Sequence, residues 1–319
     1  MTAFLDEAGW ARAAHTPLAG DASARRYTRL TRGRETAILM EDPEGDVDLF
    51  ATLARHLTSI GLSAPRILAE DTAHGLLLLE DLGDGLIARL ATDHETEKRL
   101  YLTATDALIA LHRHPAPKGL PVATPERLAQ MVDLAFDFYA PGAAGKAEAI
   151  ATFQGLLDLH ARPEGVMILR DYHAENILDL PGRTGPARAG LLDFQDALVG
   201  HRAYDLISLL QDARRDVSPG TEKACISHYL AATAREPDDF HASLAVLGAQ
   251  RNLRILGVFA RLAATRGKPH YIDLIPRTWR HLQSDLAHPS LAPMRPLLAA
   301  LPAPDEAHLN ILRARCQTP

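Results

Sequence analysis

Several features are scarce or missing in this chain of 319 residues. Cysteine occurs only at Cys225 and Cys316, with no CxxC pair and no Cys/His cluster, which excludes a disulfide framework and a cysteine zinc site. No apolar run approaches the roughly 18 residues that a membrane-spanning helix needs. The N-terminal stretch "MTAFLDEAGWARAAH" lacks the apolar core of a secretion signal. These absences predict a cytoplasmic protein that does not associate with a membrane.

A concentrated positive charge is missing too. The net charge is −6 and the 34 basic residues are spread along the chain, which argues against a nucleic acid partner. Lysine is especially rare: there are five, and the first is Lys98. With 47% hydrophobic and 23% charged residues, the composition is that of a globular protein, and the chain is long enough to bury a core.

The N-terminal part of the sequence reads as a small, strand-rich lobe. Loosely alternating or apolar segments bounded by turn residues predict strands at residues 25–30, 36–40, 65–71 and 75–81. Between them, residues 46–60 carry apolar side chains at helical spacing, and Gly61 ends that helix. The stretch "DLGDG" then breaks the pattern. We therefore expect an N-terminal lobe over residues 1–82.

The rest of the chain, residues 83–319, is mostly helical in pattern. The segments with helical periodicity are residues 95–112, 124–139, 143–160, 203–214, 221–234, 238–265 and 271–286. Short apolar segments with turns fill residues 166–199, and the proline-rich stretch after residue 286 reads as a wrapped tail. This order predicts an α+β fold in two lobes.

The stretch "LRDYHAENIL" has the strongest chemical character. Asp171 and Asn176 lie five residues apart on a loop between apolar segments, and Asp193 ends the next apolar strand in "GLLDF". Phosphoryl transfer from ATP requires a base that orients a hydroxyl and oxygen ligands for Mg²⁺. The spacing lets three such side chains face one point. The alternative is that all three are loop-capping and turn residues.

With "LDFQDA" and "HRAYDLISLL", this stretch resembles the aminoglycoside phosphotransferase family, which has a protein-kinase-like fold. The resemblance implies that ATP and Mg²⁺ are used, that Asp171 is the catalytic base, and that Asn176 and Asp193 bind the metal. Leu169 stands where the family usually has a histidine that supports the loop. Asp205 matches a family aspartate that supports the same loop.

The resemblance also implies a strand lysine that binds the nucleotide phosphates, and this chain has Met40 at that place. One interpretation is a non-catalytic nucleotide-binding pseudokinase. The other is that an arginine of "GDASARRY" takes over, because small residues admit phosphate and arginine binds it with a forked donor. The candidates there are Gly20, Ser23, Arg25 and Arg26. Strand alternation sends the two arginines to opposite faces, so only one should matter.

A subgroup resemblance narrows the family further. "GDASARRY", "LLLLEDLGD", "RDYHAEN" and "QRNLRILGVFARL" together are similar to the anomeric sugar kinases that phosphorylate N-acetylmuramate and N-acetylglucosamine in cell-wall recycling. This similarity implies a small-molecule sugar substrate, and we expect a monomer. It also implies that the segment from Glu80 to Leu82 binds adenine through backbone groups.

The residues that would bind the acceptor are less clearly indicated by the sequence than the other site residues. His173, Gln195 and Asp196 border the proposed catalytic residues and are candidates for sugar contacts. Arg254 shares a helix face with Arg251 and Arg261, which form either a basic wall for an anionic substrate or a salt-bridged surface. The alternative acceptors are an aminoglycoside, homoserine or choline, and Asp133 with Asp137 would suit the cationic aminoglycoside.

Overall fold

A computed structural model describes residues 1–18 and 25–316 of the chain. The strands in these ranges are β1 Ala14–Pro17, β2 Arg26–Arg32, β3 Glu35–Glu41, β4 Ile67–Asp71, β5 Leu76–Glu80, β6 Val166–Ile168, β7 Ile177–Asp179, β8 Ala189–Leu191 and β9 Leu198–Gly200. The α-helices are α1 Thr2–Glu7, α2 Val47–Ser59, α3 Ile87–Leu90, α4 His94–Leu111, α5 Pro125–Gln130, α6 Lys146–His160, α7 Ala203–Leu210, α8 Pro219–Thr233, α9 Pro237–Arg266, α10 Ile275–Leu286, α11 Met294–Leu298 and α12 Glu306–Ala314.

These elements pack into two compact units. The first unit contains Met1–Pro117 and Ala174–Asp196, and the second contains Lys118–His173 and Ala197–Pro319. The expected functional boundary after residue 82 is a different division of the chain and stays a prediction.

The first unit is built on an antiparallel five-stranded sheet with the strand order β1-β2-β3-β5-β4. Side-chain alternation gives the sheet two different faces. One face packs against the N-terminal helix and Trp10, using the buried side chains of Leu30, Ala37, Leu39, Leu76 and Leu78. The alternate positions, among them Tyr27, Arg29, Ile38, Met40 and Leu79, face the other way. This second face of the sheet contributes side chains to the candidate active site.

The remaining elements of the first unit pack around this sheet. Helix α2 begins at Asp46, whose carboxylate accepts a hydrogen bond from the Leu49 N–H at 2.8 Å, as a helix N-cap does. Strands β7 and β8 form an antiparallel hairpin. Ser63 joins this hairpin through a bridge to Gly190.

The second unit is organised around the 30-residue helix α9, against which α6, α7 and α10 pack. Gly257 permits a close approach on this helix, because an added Cβ would lie 2.2 Å from the backbone of Leu134. Within the described ranges, no helix is long and apolar enough to cross a membrane.

The expected fold class is confirmed: a strand-rich N-terminal region is followed by a mostly helical remainder. The predicted helix over residues 124–139 is interrupted rather than continuous. Thr124 caps it as expected, but α5 ends at Gln130 and residues 135–139 form a π-helical turn. The break adjoins Leu134, where α9 approaches most closely, so tertiary packing prevails over the helical pattern there. The predicted helix over residues 271–286 begins with a 3-10 turn over Pro269–Leu274.

Candidate active site

A cleft with a volume of about 340 Å³ lies within the first unit, a size that is ordinary for a small-molecule site. Its walls come from the second face of the sheet, from the segment after β5, and from residues that flank the β7–β8 hairpin. Of the predicted site residues, the cleft is lined by Arg25, Glu80, Leu82, Asn176 and Asp193.

Arg25 supplies a half-buried positive charge in this cleft. Its Nε donates to Asp42 Oδ2 at 2.9 Å, and its guanidinium lies 6.0 Å from the centre of the Phe50 ring. The side chain is 14% exposed. Burial lowers the pKa of Arg25, but Tyr27 and Asp42 outweigh that effect and raise the pKa above its ordinary value. The cation is therefore permanent and held in one place.

Unlike Arg25, Arg26 is exposed and lies outside the cleft wall. Its side chain is 71% exposed and lies 3.6 Å from Glu41, and it does not line the cleft. Met40, which stands where the family has lysine, is fully buried and pairs with Tyr27 and Leu77 on the adjacent strands. The predicted phosphate-binding residues Gly20 and Ser23 lie outside the described residues.

The segment after β5 is fixed by ion pairs on both sides. The Glu80 carboxylate accepts from Arg183 at 2.6 Å and from Arg66 at 3.1 Å. Arg29 pairs with Asp81 at 2.7 Å and with Asp84 at 2.9 Å, and these contacts raise its pKa. Leu82, between the two aspartates, lines the cleft.

Asn176 and Asp193 lie side by side on the opposite wall. Asn176 precedes β7 and Asp193 follows β8, so the hairpin brings them together, with their side chains 3.3 Å apart. Gln195 Nε2 donates to Asp193 Oδ1 at 2.7 Å. Asp193 has a φ of 57°, which is uncommon for a residue other than glycine. The next residue, Phe194, is buried, and its ring centre lies 4.8 Å from that of Phe50.

This pair fits a magnesium ion better than most other metals. Mg²⁺ takes hard oxygen ligands and usually keeps phosphate and water oxygens beside one or two protein ligands. Within the described ranges, no group of three His, Cys, Asp or Glu side chains could hold a metal. An amide and a carboxylate in the wall of a cleft that a cation also lines therefore suit a metal that arrives with phosphate.

The second unit contains Asp171. The loop that carries Asp171 is held in place by hydrogen bonds from its backbone. The fully buried carboxylate of Asp205 accepts from the Leu169 N–H at 2.6 Å and from the Arg170 N–H at 2.9 Å. Arg170 has a φ of 69°, and Ser208 Oγ donates to its carbonyl at 3.2 Å. Burial raises the pKa of Asp205 to about 7. Leu169 is buried, so this loop is anchored without the histidine that the family usually has.

The predicted acceptor-site residues are divided between the units. Gln195 and the exposed Asp196 belong to the first unit, whereas His173 and the half-buried Arg254 belong to the second. His173 is buried, with Nε2 3.4 Å from an Arg214 guanidinium nitrogen, and burial lowers its pKa.

Sequence reasoning missed Tyr27 and Arg29, which line the cleft, and Asp42, which pairs with Arg25. The motif "EDP" at the end of β3 was a usable signal for Asp42, because a carboxylate that ends a strand next to a predicted arginine can pair with it. Arg29 and Tyr27 could also have been found, since they share the strand face of Arg25.

A cleft with a fixed cation, a hard oxygen pair and a small apolar wall can hold a nucleotide with its metal-bound phosphates. The chain belongs to the phosphotransferase enzyme family, whose profile matches residues 14–241. The family predicted from the sequence motifs is therefore confirmed. The protein is a kinase-type phosphotransferase, and ATP is the phosphoryl donor that this family implies.

The most informative similarities are to named relatives. The chain is 40% identical to the N-acetylmuramate/N-acetylglucosamine kinase of Caulobacter vibrioides, over 92% of this chain and 93% of the relative. It is 33% identical to the kinase of the same name from Pseudomonas aeruginosa, over 91% and 89%. Among solved structures, a choline/ethanolamine kinase family protein from Mesorhizobium loti matches with a TM-score of 0.63 at 15% identity, over 98% and 100% of the chains. That structure supports the fold alone.

Proposed function

We propose that this protein is a sugar kinase that phosphorylates the anomeric hydroxyl of N-acetylmuramate, N-acetylglucosamine or both, using ATP and Mg²⁺. The observation that carries the proposal is the 40% identity to a kinase of that name over nearly the whole of both chains. A cytoplasmic location follows from the use of ATP, and we expect a monomer.

In the proposed reaction the sugar hydroxyl attacks the γ-phosphorus of ATP. An O–P bond to the sugar forms, the bond to the bridging β–γ oxygen breaks, and ADP leaves. We assign Asp171 the role of orienting this hydroxyl and accepting its proton on a carboxylate oxygen. The support is its position in the motif and the rigid loop, since Asp205 fixes the two preceding backbone N–H groups.

The phosphates are assigned to the first unit. Arg25, fixed by Asp42, replaces the missing lysine as the cation that binds them. Asn176 and Asp193 would hold Mg²⁺, which neutralises charge on the phosphate oxygens when bound. The backbone of residues 80–82 is assigned to adenine, since ion pairs on both sides hold that segment.

Two of the rival acceptors, an aminoglycoside and choline, are cationic, so an acidic wall would favour them. Asp133 and Asp137 were the candidates for an acidic wall. Asp137 pairs with Lys146 at 2.6 Å, and Asp133 accepts from Gln130 at 3.0 Å, so both carboxylates already have partners. The pseudokinase interpretation loses its main support, because Arg25 supplies a cation in the cleft where lysine is missing.

An ADP-release assay with the purified protein tests the proposal. The acceptors are N-acetylmuramate, N-acetylglucosamine, an aminoglycoside, homoserine and choline, each with and without Mg²⁺. We expect turnover with the two acetylated sugars only. The methyl glycoside of N-acetylglucosamine is the matched control, because its anomeric oxygen is blocked. Turnover of the methyl glycoside would contradict the anomeric assignment, and a preference for choline or an aminoglycoside would contradict the sugar.

A further inference from the structure

Several buried polar atoms in the second unit have no hydrogen-bond partner within the described part of the chain, and two of them belong to segments that are joined by hydrogen bonds. These two are Arg251 Nε on α9 and Asp212 Oδ2, two residues after the end of α7. Arg251 is 6% exposed and Asp212 is 2% exposed. Buried polar groups are nearly always hydrogen-bonded, because an unpaired one costs roughly 1–3 kcal/mol. A donor and an acceptor left open together suggest a ligand that supplies both partners.

The segments that carry the two residues are joined by hydrogen bonds between their sequence neighbours. Asn252 Nδ2 donates to Gln211 Oε1 at 2.7 Å, which joins residues 211–212 to residues 251–252. Both amides also donate to the buried carboxylate of Asp285, at 2.7 and 2.9 Å. The Arg214 N–H donates to Asp212 Oδ1 at 2.9 Å. One carboxylate oxygen is therefore used, and the other stays open in a fixed position.

The same region includes the proposed base. Asp205 of α7 fixes the backbone just before Asp171, and α7 packs on α9. Burial lowers the pKa of Arg251, while the nearby Tyr204, Asp171 and Asp212 raise it. The open donor and acceptor thus lie within the electrostatic range of the carboxylate that is proposed to meet the acceptor hydroxyl.

The charge of the pair restricts the ligand. An anionic group would be repelled by Asp212, and an ammonium group would be repelled by Arg251. A neutral group with one N–H and one C=O satisfies both: the N–H donates to Asp212 Oδ2, and the C=O accepts from Arg251 Nε. Both acetylated sugars carry such a group, the acetamido substituent.

Resting on the proposed function, we infer that Arg251 and Asp212 bind the acetamido group of the sugar and make the enzyme selective for N-acylated amino sugars. Sites built to hydrogen-bond a substrate group reject analogues that lack it, by roughly 10⁴ in favourable cases, because the buried partners are then left unpaired.

The test compares kcat/KM for N-acetylglucosamine and for glucose, which has the anomeric hydroxyl but no acetamido group. We expect the native enzyme to prefer N-acetylglucosamine strongly. In Asp212→Asn and Arg251→Lys, the ratio of the two kcat/KM values should fall about 10- to 100-fold, mainly through loss of the acetylated substrate. Asp212→Asn keeps the side-chain shape, and Arg251→Lys keeps the charge but removes the Nε–H.

The matched controls are Asp238→Asn and Arg266→Met, exposed positions on the same long helix, which should leave the ratio unchanged. ATP titration and thermal unfolding report whether each variant is folded. If a variant at 212 or 251 does not fold, the other variant and the glucose comparison in the native enzyme still decide the matter.

The two proposals fail in different ways. Turnover of the acetylated sugars with an unchanged ratio in folded variants would overturn this inference alone, since the open atoms would then be satisfied by water. Equal use of glucose by the native enzyme would overturn it too. Turnover restricted to acceptors without an acylamino group would overturn the proposed function, and this inference with it.

Discussion

The charged residues of the two proposed sites differ in how they are paired. In the first unit, the cleft charges are paired: Arg25 with Asp42, Arg29 with Asp81, and Glu80 with Arg183. In the second unit, Arg251 and Asp212 each keep a buried polar atom open in the described part of the chain. There burial also raises the pKa of Asp205 to about 7 and that of Asp285 to about 8.

This difference matches two kinds of ligand. A triphosphate brings several negative charges and a metal, so a site for it benefits from cations that are held rigidly by carboxylates. The acetamido group of a sugar is neutral and brings one donor and one acceptor, so a site for it benefits from open hydrogen-bonding atoms with little net charge. The comparison therefore predicts that substitutions in the first unit affect ATP and that those in the second affect turnover and the sugar.

The largest effect is expected at Asp171. Asp171→Ala should lower kcat by about 10² to 10⁴, because it removes the group that orients and deprotonates the acceptor. ATP affinity should change little, since this residue belongs to the second unit. Steady-state kinetics together with ATP titration separate the two quantities. Asp158→Ala, a partly exposed surface position, is the matched control. A near-native kcat in Asp171→Ala would remove the residue from the mechanism.

The metal pair of the first unit should come next. Asp193→Asn and Asn176→Ala each weaken or remove an oxygen ligand, and Mg²⁺ tolerates few changes in its ligands. The Mg²⁺ concentration for half-maximal rate should rise by on the order of 10-fold or more in both variants. Glu44→Gln, at an exposed site in the same unit, is the control. Unchanged Mg²⁺ midpoints in both variants would show that the metal binds elsewhere.

Arg25 and Arg26 form a natural pair for the third prediction. Arg25→Met should weaken ATP binding by roughly 1.5–3 kcal/mol, the contribution of a charge-assisted hydrogen bond to a charged group. Arg26→Met should have almost no effect, because its side chain is 71% exposed. Nucleotide titration by calorimetry measures both, and the sugar KM should stay constant.

The substitution Met40→Lys tests the same assignment, in which Arg25 replaces the missing lysine. Met40 is fully buried, so a lysine there would bury a second cation near Arg25. We expect no gain in activity. A more active Met40→Lys enzyme, or equal loss of ATP affinity in the two arginine variants, would contradict the replacement of lysine by Arg25.

The sequence was most informative where the signal is local. Strands β2 to β5 follow alternation and turn residues, and the loop that carries Asp171 follows one contiguous motif. Alternation also separated Arg25 from Arg26. It could not say which of them faces the cleft, because that depends on which face of the sheet packs against Phe4, Leu5 and Trp10, from a different part of the chain.

Long-range packing explains what the sequence could not show. Asp212 follows α7 and Arg251 lies on α9, and their segments are joined by contacts between Gln211, Asn252 and Asp285. The break after Gln130 likewise adjoins the close contact between Gly257 and Leu134. No periodicity in either segment encodes such contacts.

The last prediction concerns the buried Asp285 and the pH dependence of stability rather than activity. Burial raises its pKa to about 8, whereas an unfolded aspartate has a pKa near 4. Between these values the folded state holds a proton that the unfolded state releases, so the free energy of unfolding falls as pH rises. The slope is at most about 1.4 kcal/mol per pH unit, and it disappears above the folded pKa.

Asp285→Asn removes this titration, so its free energy of unfolding should fall less than that of the native enzyme between pH 5.5 and 8. Urea denaturation at several pH values measures the difference. Asp216→Asn is the control in the same unit: pairing with Arg277 lowers the pKa of Asp216, so its stabilising effect is lost only in acid, and its curve should parallel the native one. Parallel curves for Asp285→Asn as well would mean that Asp285 is ionised in the folded enzyme. The second unit would then hold buried charge as the first does, with Gln211 and Asn252 as its hydrogen-bond donors.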